Sequence, residues 1–108
     1  MTVLAMGKVS DTKSDIFEVT RFDVYKGSKI DVTKITFFNT NAADQTVILY
    51  LIDNSGTEAE IVRFELLQNE RGECLEPSEL LDLENGDRIQ AETTTADAVN
   101  YVVYGNRK

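Results

Sequence analysis

The sequence predicts an all-β protein, an antiparallel β-sandwich or jelly roll of about seven to eight short strands. Three observations predict it. Apolar residues recur with a period of two, the period of a half-buried strand. Turn-forming groups such as Lys-Gly-Ser-Lys, Asp-Asn-Ser-Gly and Glu-Asn-Gly-Asp punctuate the chain at roughly even spacing. No segment carries the 3.6-residue apolar stripe of a long amphipathic helix.

In order along the chain, residues 2–9 read as a weak strand or an extended arm. Residues 17–25 alternate, with Phe17 and Val19 opposing Glu18 and Thr20. A turn at Lys26-Gly27-Ser28-Lys29 leads to a second strand, residues 30–38, rich in β-branched and aromatic types. The small polar stretch 39–45 leads to an apolar strand at residues 46–53, and these two strands read as the clearest hairpin in the chain. A loop at 53–60 precedes a strand at 61–67, and residues 68–78, with the single proline Pro77, read as the longest irregular stretch. A helical turn capped by Ser78 competes there with a brief strand at residues 80–83, which is the preferred reading. Asn85-Gly86 is a strong tight-turn signal. Strands at 88–94 and 98–105, joined through Thr95-Ala96-Asp97, complete the set.

A chain of 108 residues fits one domain, 1–108, with residues 1–15 open to the arm reading. Nineteen acidic against eleven basic residues give a net charge of −8, and the basic residues are scattered. Nucleic acid and anionic membranes are therefore poor partners, because binding phosphate needs a positive footprint. No apolar run reaches the length of a membrane-spanning helix. The first residues lack the pattern of a secretory signal, so synthesis without export is the expectation.

Histidine is absent, which removes the commonest general base and the His-paired nucleophiles. Cys74 is the single cysteine and lies between Glu73 and Glu76, surroundings that disfavour a thiolate. Residues 53–57 place oxygen-bearing side chains like a calcium loop, yet the twelfth position is Phe64 and the glycine falls at the fourth. A plain turn explains the same residues. Carboxylate pairs are plentiful but sit in loops, and there is no tryptophan for a sugar platform. The expectation is a non-enzyme with no cofactor and no metal.

One feature points to a partner. Residues 47–52 (Val-Ile-Leu-Tyr-Leu-Ile) are apolar without alternation, so Val47, Leu49 and Leu51 can face a core while Ile48, Tyr50 and Ile52 point away. Leaving a large apolar side chain wet costs about 1.5–3 kcal/mol. Residues 35–38 and 101–104 share this two-sidedness. If these strands are neighbours, Phe38, Ile48, Tyr50, Ile52, Val102 and Tyr104 merge into one interface patch. The competing expectation is a cover from the chain itself, by residues 68–78 or by the N-terminal arm.

Residues 34–105 also resemble a family. Ile-Thr-Phe-Phe-Asn-Thr at 35–40, Thr-Val-Ile-Leu-Tyr-Leu at 46–51, the leucine-rich 80–83, Gly86-Asp87 followed by Ile89, and the closing strand 99–103 are similar to elements of small β-sandwich proteins encoded among the head and tail genes of tailed bacteriophages. The resemblance implies a virion protein, first of all a capsid decoration (cement) subunit. Its partners would be the major capsid protein or neighbouring subunits, and it would act as a homo-oligomer. The alternative is a ligand- or carbohydrate-recognition module of a tail or fibre, using loops 39–45 and 53–60 with tyrosines as the platform.

Overall fold

The computed structural model describes residues 2–19, 29–74 and 81–107. Nine strands are present among them: β1 (Thr2–Lys8), β2 (Ser14–Glu18), β3 (Ile30–Asn39), β4 (Gln45–Ile52), β5 (Glu58–Leu66), β6 (Arg71–Cys74), β7 (Leu81–Leu83), β8 (Arg88–Thr93) and β9 (Val99–Arg107). They form two antiparallel sheets packed face to face. Sheet A has the order β1-β9-β3-β6, with β7 also paired to β3, and sheet B has the order β2-β8-β4-β5.

The pairings are nested. β1 pairs with β9, β2 with β8, β3 with both β6 and β7, and β4 with β5. That is one long hairpin with β4 and β5 at its tip. Rolling it up adds the pairs β9–β3 and β8–β4 and separates it into two sheets. This topology is the jelly roll, which divides a long antiparallel ribbon into two packed layers. β6 and β7 pair with successive halves of β3, residues 35–38 and 30–32, and so share one edge position. The expected count of seven to eight strands becomes nine because that edge is divided.

Several local readings change. β3 and β4 belong to different sheets, so the segment between them is a crossing of the sandwich and not a hairpin turn. The Asn85-Gly86 turn forms, with Gly86 at φ 93° and Asp87 N donating to Glu84 O, yet it too joins strands of opposite sheets. The connection from β4 to β5 is the sequence-adjacent turn that stays within sheet B. Residues 71–74, expected to be irregular, are strand β6, held by the edge of β3. β1 is an edge strand of the chain's own sheet and not a free arm. The expected strand at 17–25 begins earlier, at Ser14. Its second half, most of the turn after it, Pro77 and the Ser78 helical turn lie outside the described residues.

The core lies between the sheets. Ile30, Val32, Ile35, Phe37, Val99 and Val103 from sheet A meet Phe17, Val47, Leu49, Leu66, Ile89 and Ala91 from sheet B. Phe37 and Phe64 join the layers edge to face, with ring centroids 5.6 Å apart. Where β9 crosses the irregularity of β3 between Val32 and Lys34, the backbones come very close. A Cβ on Gly105 would stand 2.0 Å from Asp31 O, so only glycine fits there.

Two polar side chains clamp one end of the sandwich. Asn39 is fully buried. Its Nδ2 donates to Ala43 O (2.9 Å), Leu66 O (3.1 Å) and Leu67 O (3.1 Å), while its Oδ1 accepts from Asn41 N (2.9 Å). Gln45 Oε1 accepts from Thr95 N at 2.8 Å. Both residues sit at the ends of a stretch read as a polar loop. In the fold they satisfy backbone groups at that end of the sandwich, the buried Leu66 carbonyl among them.

Candidate functional site

The six residues expected to form one apolar patch lie on opposite sides of the molecule. β4 carries Ile48, Tyr50 and Ile52 on the outer face of sheet B, whereas β3 and β9 carry Phe38, Val102 and Tyr104 on the outer face of sheet A. Two separate surfaces replace the single patch, and their chemistry differs.

On sheet B the register interleaves the apolar residues with charge. Ile48 stands between Glu92 and Arg63, Tyr50 between Gln90 and Glu60, and Ile52 between Arg88 and Glu58. The Tyr50 hydroxyl donates to Glu92 Oε1. That bond comes first in holding the phenol proton, ahead of burial and the Glu92 charge, and pushes the Tyr50 pKa up to about 12. Lys13 Nζ sits 4.6 Å from the Tyr50 ring centroid and pairs with Glu58. Arg63 Nη2 donates to Glu60 Oε1 at 2.6 Å and lowers the Glu60 pKa. Gln90 Nε2 donates to Asp15 Oδ1 at 2.7 Å. Ile52 is only 4% exposed although it lies outside the core cluster. The expectation that Ile52 needs a partner to stay dry is overturned, because a single chain already shelters it. Ile48 and Tyr50 are half-buried for the same reason: long charged side chains lay their stems along apolar neighbours. The cover is intrachain, as the competing expectation held, but it comes from neighbouring strands.

On sheet A the register along β1 and β9 does the opposite. Met6 pairs with Val102, and Val3 with Tyr104. Val102 pairs in turn with Thr36, and Phe38 sits diagonally across from it. Met6 is 71% exposed, Val3 48% and Phe38 40%. Along β1 and β9 the outward positions are Val3, Met6, Lys8, Asn100, Val102, Tyr104 and Asn106, with no acidic residue among them. Lys34 Nζ, 4.8 Å from the Tyr104 ring centroid, adds a second cation, paired on its far side with Glu73 of β6. In a chain of net charge −8 this apolar, acid-free half-face is the exception. Val3 and Met6 were missed because the register shift between Val3 and Ala5 breaks the alternation of β1.

The loops expected to share a ligand platform are far apart. The 39–45 segment meets the β8–β9 turn, where Thr40 N donates to Ala98 O. The 53–57 turn meets the β7–β8 turn, where Asn54 N donates to Asp87 Oδ1. Strand β4 separates them by its whole length, about 26 Å at 3.3 Å per residue. The described tyrosines do not gather either. Tyr50 and Tyr104 lie on opposite outer faces, and Tyr101 packs against the core. Within the 53–57 turn, Asp53 Oδ1 accepts from Ser55 Oγ (2.6 Å), Ser55 N (2.9 Å) and Thr57 N (2.9 Å). Donation from the Ser55 hydroxyl is the first cause of the lowered Asp53 pKa. This is the plain turn, with its carboxylate already committed. Among the described residues no group of three or more Cys, Asp or Glu side chains gathers to hold a cation.

Among known proteins, no family model, no curated protein and no solved structure matches this chain, so the reading of its function rests on the jelly roll and its two faces.

Proposed function

We propose that the protein is a structural subunit of a tailed-phage particle, in the first instance a capsid decoration subunit, acting by binding and not by catalysis. The observation that carries the reading is the outer face of sheet A. Met6, Val3, Phe38, Val102 and Tyr104 form a connected apolar surface with no acidic residue along β1 and β9, backed by sheet B. Such a surface suits docking on another protein, because its burial stabilises the complex without stripping water from charges. Jelly rolls also serve in viral capsids, an analogy of fold that agrees with the resemblance of residues 34–105. Repeated over many symmetric copies, modest contacts of this kind would brace a shell against internal pressure.

The test is sedimentation of the protein with heads and tails assembled from the genes adjoining its own. The expected result is co-sedimentation with heads, reduced at least tenfold by Phe38→Glu and unchanged by Ile48→Glu. Sedimentation alone in every mixture, or loss of binding through Ile48→Glu but not Phe38→Glu, would overturn it.

A further inference from the structure

Whether copies of the chain can join is decided by the four sheet edges. Sheet B ends in β2 and β5, and sheet A ends in β1 and in β6 with β7. An open edge offers unpaired backbone groups to any passing strand, and proteins blunt such edges with charge or shorten them. β2 carries Asp15 and Glu18, β5 carries Glu58, Glu60, Arg63 and Glu65, and β6 carries Arg71 and Glu73. β7 has three residues with Asp82 in the middle. β1, Thr-Val-Leu-Ala-Met-Gly-Lys, has seven residues, no proline, no acidic residue and one charge, Lys8, at its end. Among the described residues its protection is limited to the register shift at Leu4, beyond which Ala5 to Lys8 run in unbroken register with β9.

We infer that β1 pairs antiparallel with β1 of a second copy of this chain about a two-fold axis, fusing two copies of sheet A into one continuous sheet. The inference rests on reading sheet A as the binding side, and it names the partner. Copies of net charge −8 repel. They can meet edge to edge only where no carboxylates face each other, and β1 meets that condition where β2, β5 and β6 do not. An isologous contact requires a strand that complements itself. With the two-fold axis anywhere from Leu4 to Met6, the two Lys8 side chains lie at least about 13 Å apart along the strands. That exceeds the screening length of about 8 Å at physiological salt. Val3 and Met6, exposed in one copy, then gain neighbours across the seam, and Met suits such a seam because its flexible side chain fills irregular gaps.

The experiment is light scattering across a concentration series, with amide hydrogen exchange on the same samples. Wild-type protein is expected to dimerise, with β1 amides protected at high concentration and exchanging on dilution. The double variant Val3→Glu/Met6→Glu, at two exposed positions, is expected to keep its circular dichroism and to raise the dimer dissociation constant at least tenfold. Ile61→Glu on β5 serves as the control edge and leaves the dimer unchanged. A monomer at every concentration, a dimer that survives the double variant, or a dimer lost equally through Ile61→Glu each overturns the inference. Head binding is read separately. A monomer that still sediments with heads sinks the dimer alone, and a dimer indifferent to heads sinks the particle reading alone.

Discussion

The two outer faces use similar residues and differ at their extremes, Ile52 being dry and Phe38 open. Sheet B presents Ile48, Tyr50 and Ile52 from one strand, and sheet A presents Phe38, Val102 and Tyr104 from two. On sheet B every one of them has a charged or amide neighbour in register on each side, and Ile52 is dry within one chain. On sheet A, Val102 lies between Thr36 and Met6 and Tyr104 between Lys34 and Val3, while Phe38 lies between Asn100 and Arg71, whose guanidinium is turned to Glu73, and stays 40% exposed. An apolar residue on the wrong side of a strand is therefore not in itself a sign of a partner. What decides is where the flanking side chains go: a long charged stem laid along the residue can roof it, whereas Arg71, paired with Glu73, leaves Phe38 exposed.

The largest effect that sharpens this contrast comes from two adjacent phenylalanines of β3. Phe37 is fully buried and stacks edge to face on Phe64 of the opposite sheet, whereas Phe38 points outward from sheet A. Phe37→Ala is expected to cost about 3–5 kcal/mol in denaturant unfolding. Phe38→Ala is expected to stay within about 0.5 kcal/mol while weakening binding to heads. Equal stability losses at the two positions would mean that the outer face of sheet A is already covered in the lone chain.

A smaller effect tests the joint that holds the faces back to back. Asn39 belongs to sheet A, and it reaches the carbonyls of Leu66 and Leu67 at the end of β5 in sheet B. Asn39→Ala strands those carbonyls without a donor and is expected to cost about 1–3 kcal/mol, read from the urea midpoint. Asn39→Asp is expected to be no better, because a carboxylate accepts where a donor is required. A neutral Asn39→Ala would mean that water supplies the missing donors and that the joint is wetter than its burial implies.

Much of the fold is legible in the residues, and the limits have physical causes. Alternation in β3, β8 and β9 and the turns at Gly56 and Gly86 mark an antiparallel sandwich, because both are local properties of backbone and burial. Which strands share a sheet is not local. A period of two says that a strand has two faces but not which strands lie beside it, so β3 and β4 read as a hairpin when they are layers apart. β6 was hidden because Arg-Gly-Glu-Cys has no alternation of its own and becomes a strand only through the open edge of β3. Asn39 and Gln45 read as loop residues by type, since their buried partners come from positions distant in sequence. Half of the candidate surface was legible as apolar letters in β3 and β9. The other half, Val3 and Met6, lay behind an irregularity in β1.

The finest test asks whether sheet B is as tightly knit as its hydrogen bonds indicate. The Tyr50 hydroxyl donates to Glu92, and ionising it would remove the donor and set two negative charges side by side. Its pKa accordingly stands at about 12 against an ordinary value of 10.0. The folded-state pKa is raised, so the stabilising contribution is complete below pH 10 and disappears as the pH climbs through 12. Spectrophotometric titration, with Tyr50→Phe to identify the phenol by difference, is expected to give this group a midpoint well above 10. Glu92→Ala takes away acceptor and charge together, and the midpoint should fall back toward 10. A Tyr50 that titrates near 10 in the intact protein would mean that its hydroxyl is free in water. The outer face of sheet B would then be no better covered than that of sheet A, and it would return as a second candidate for the docking side.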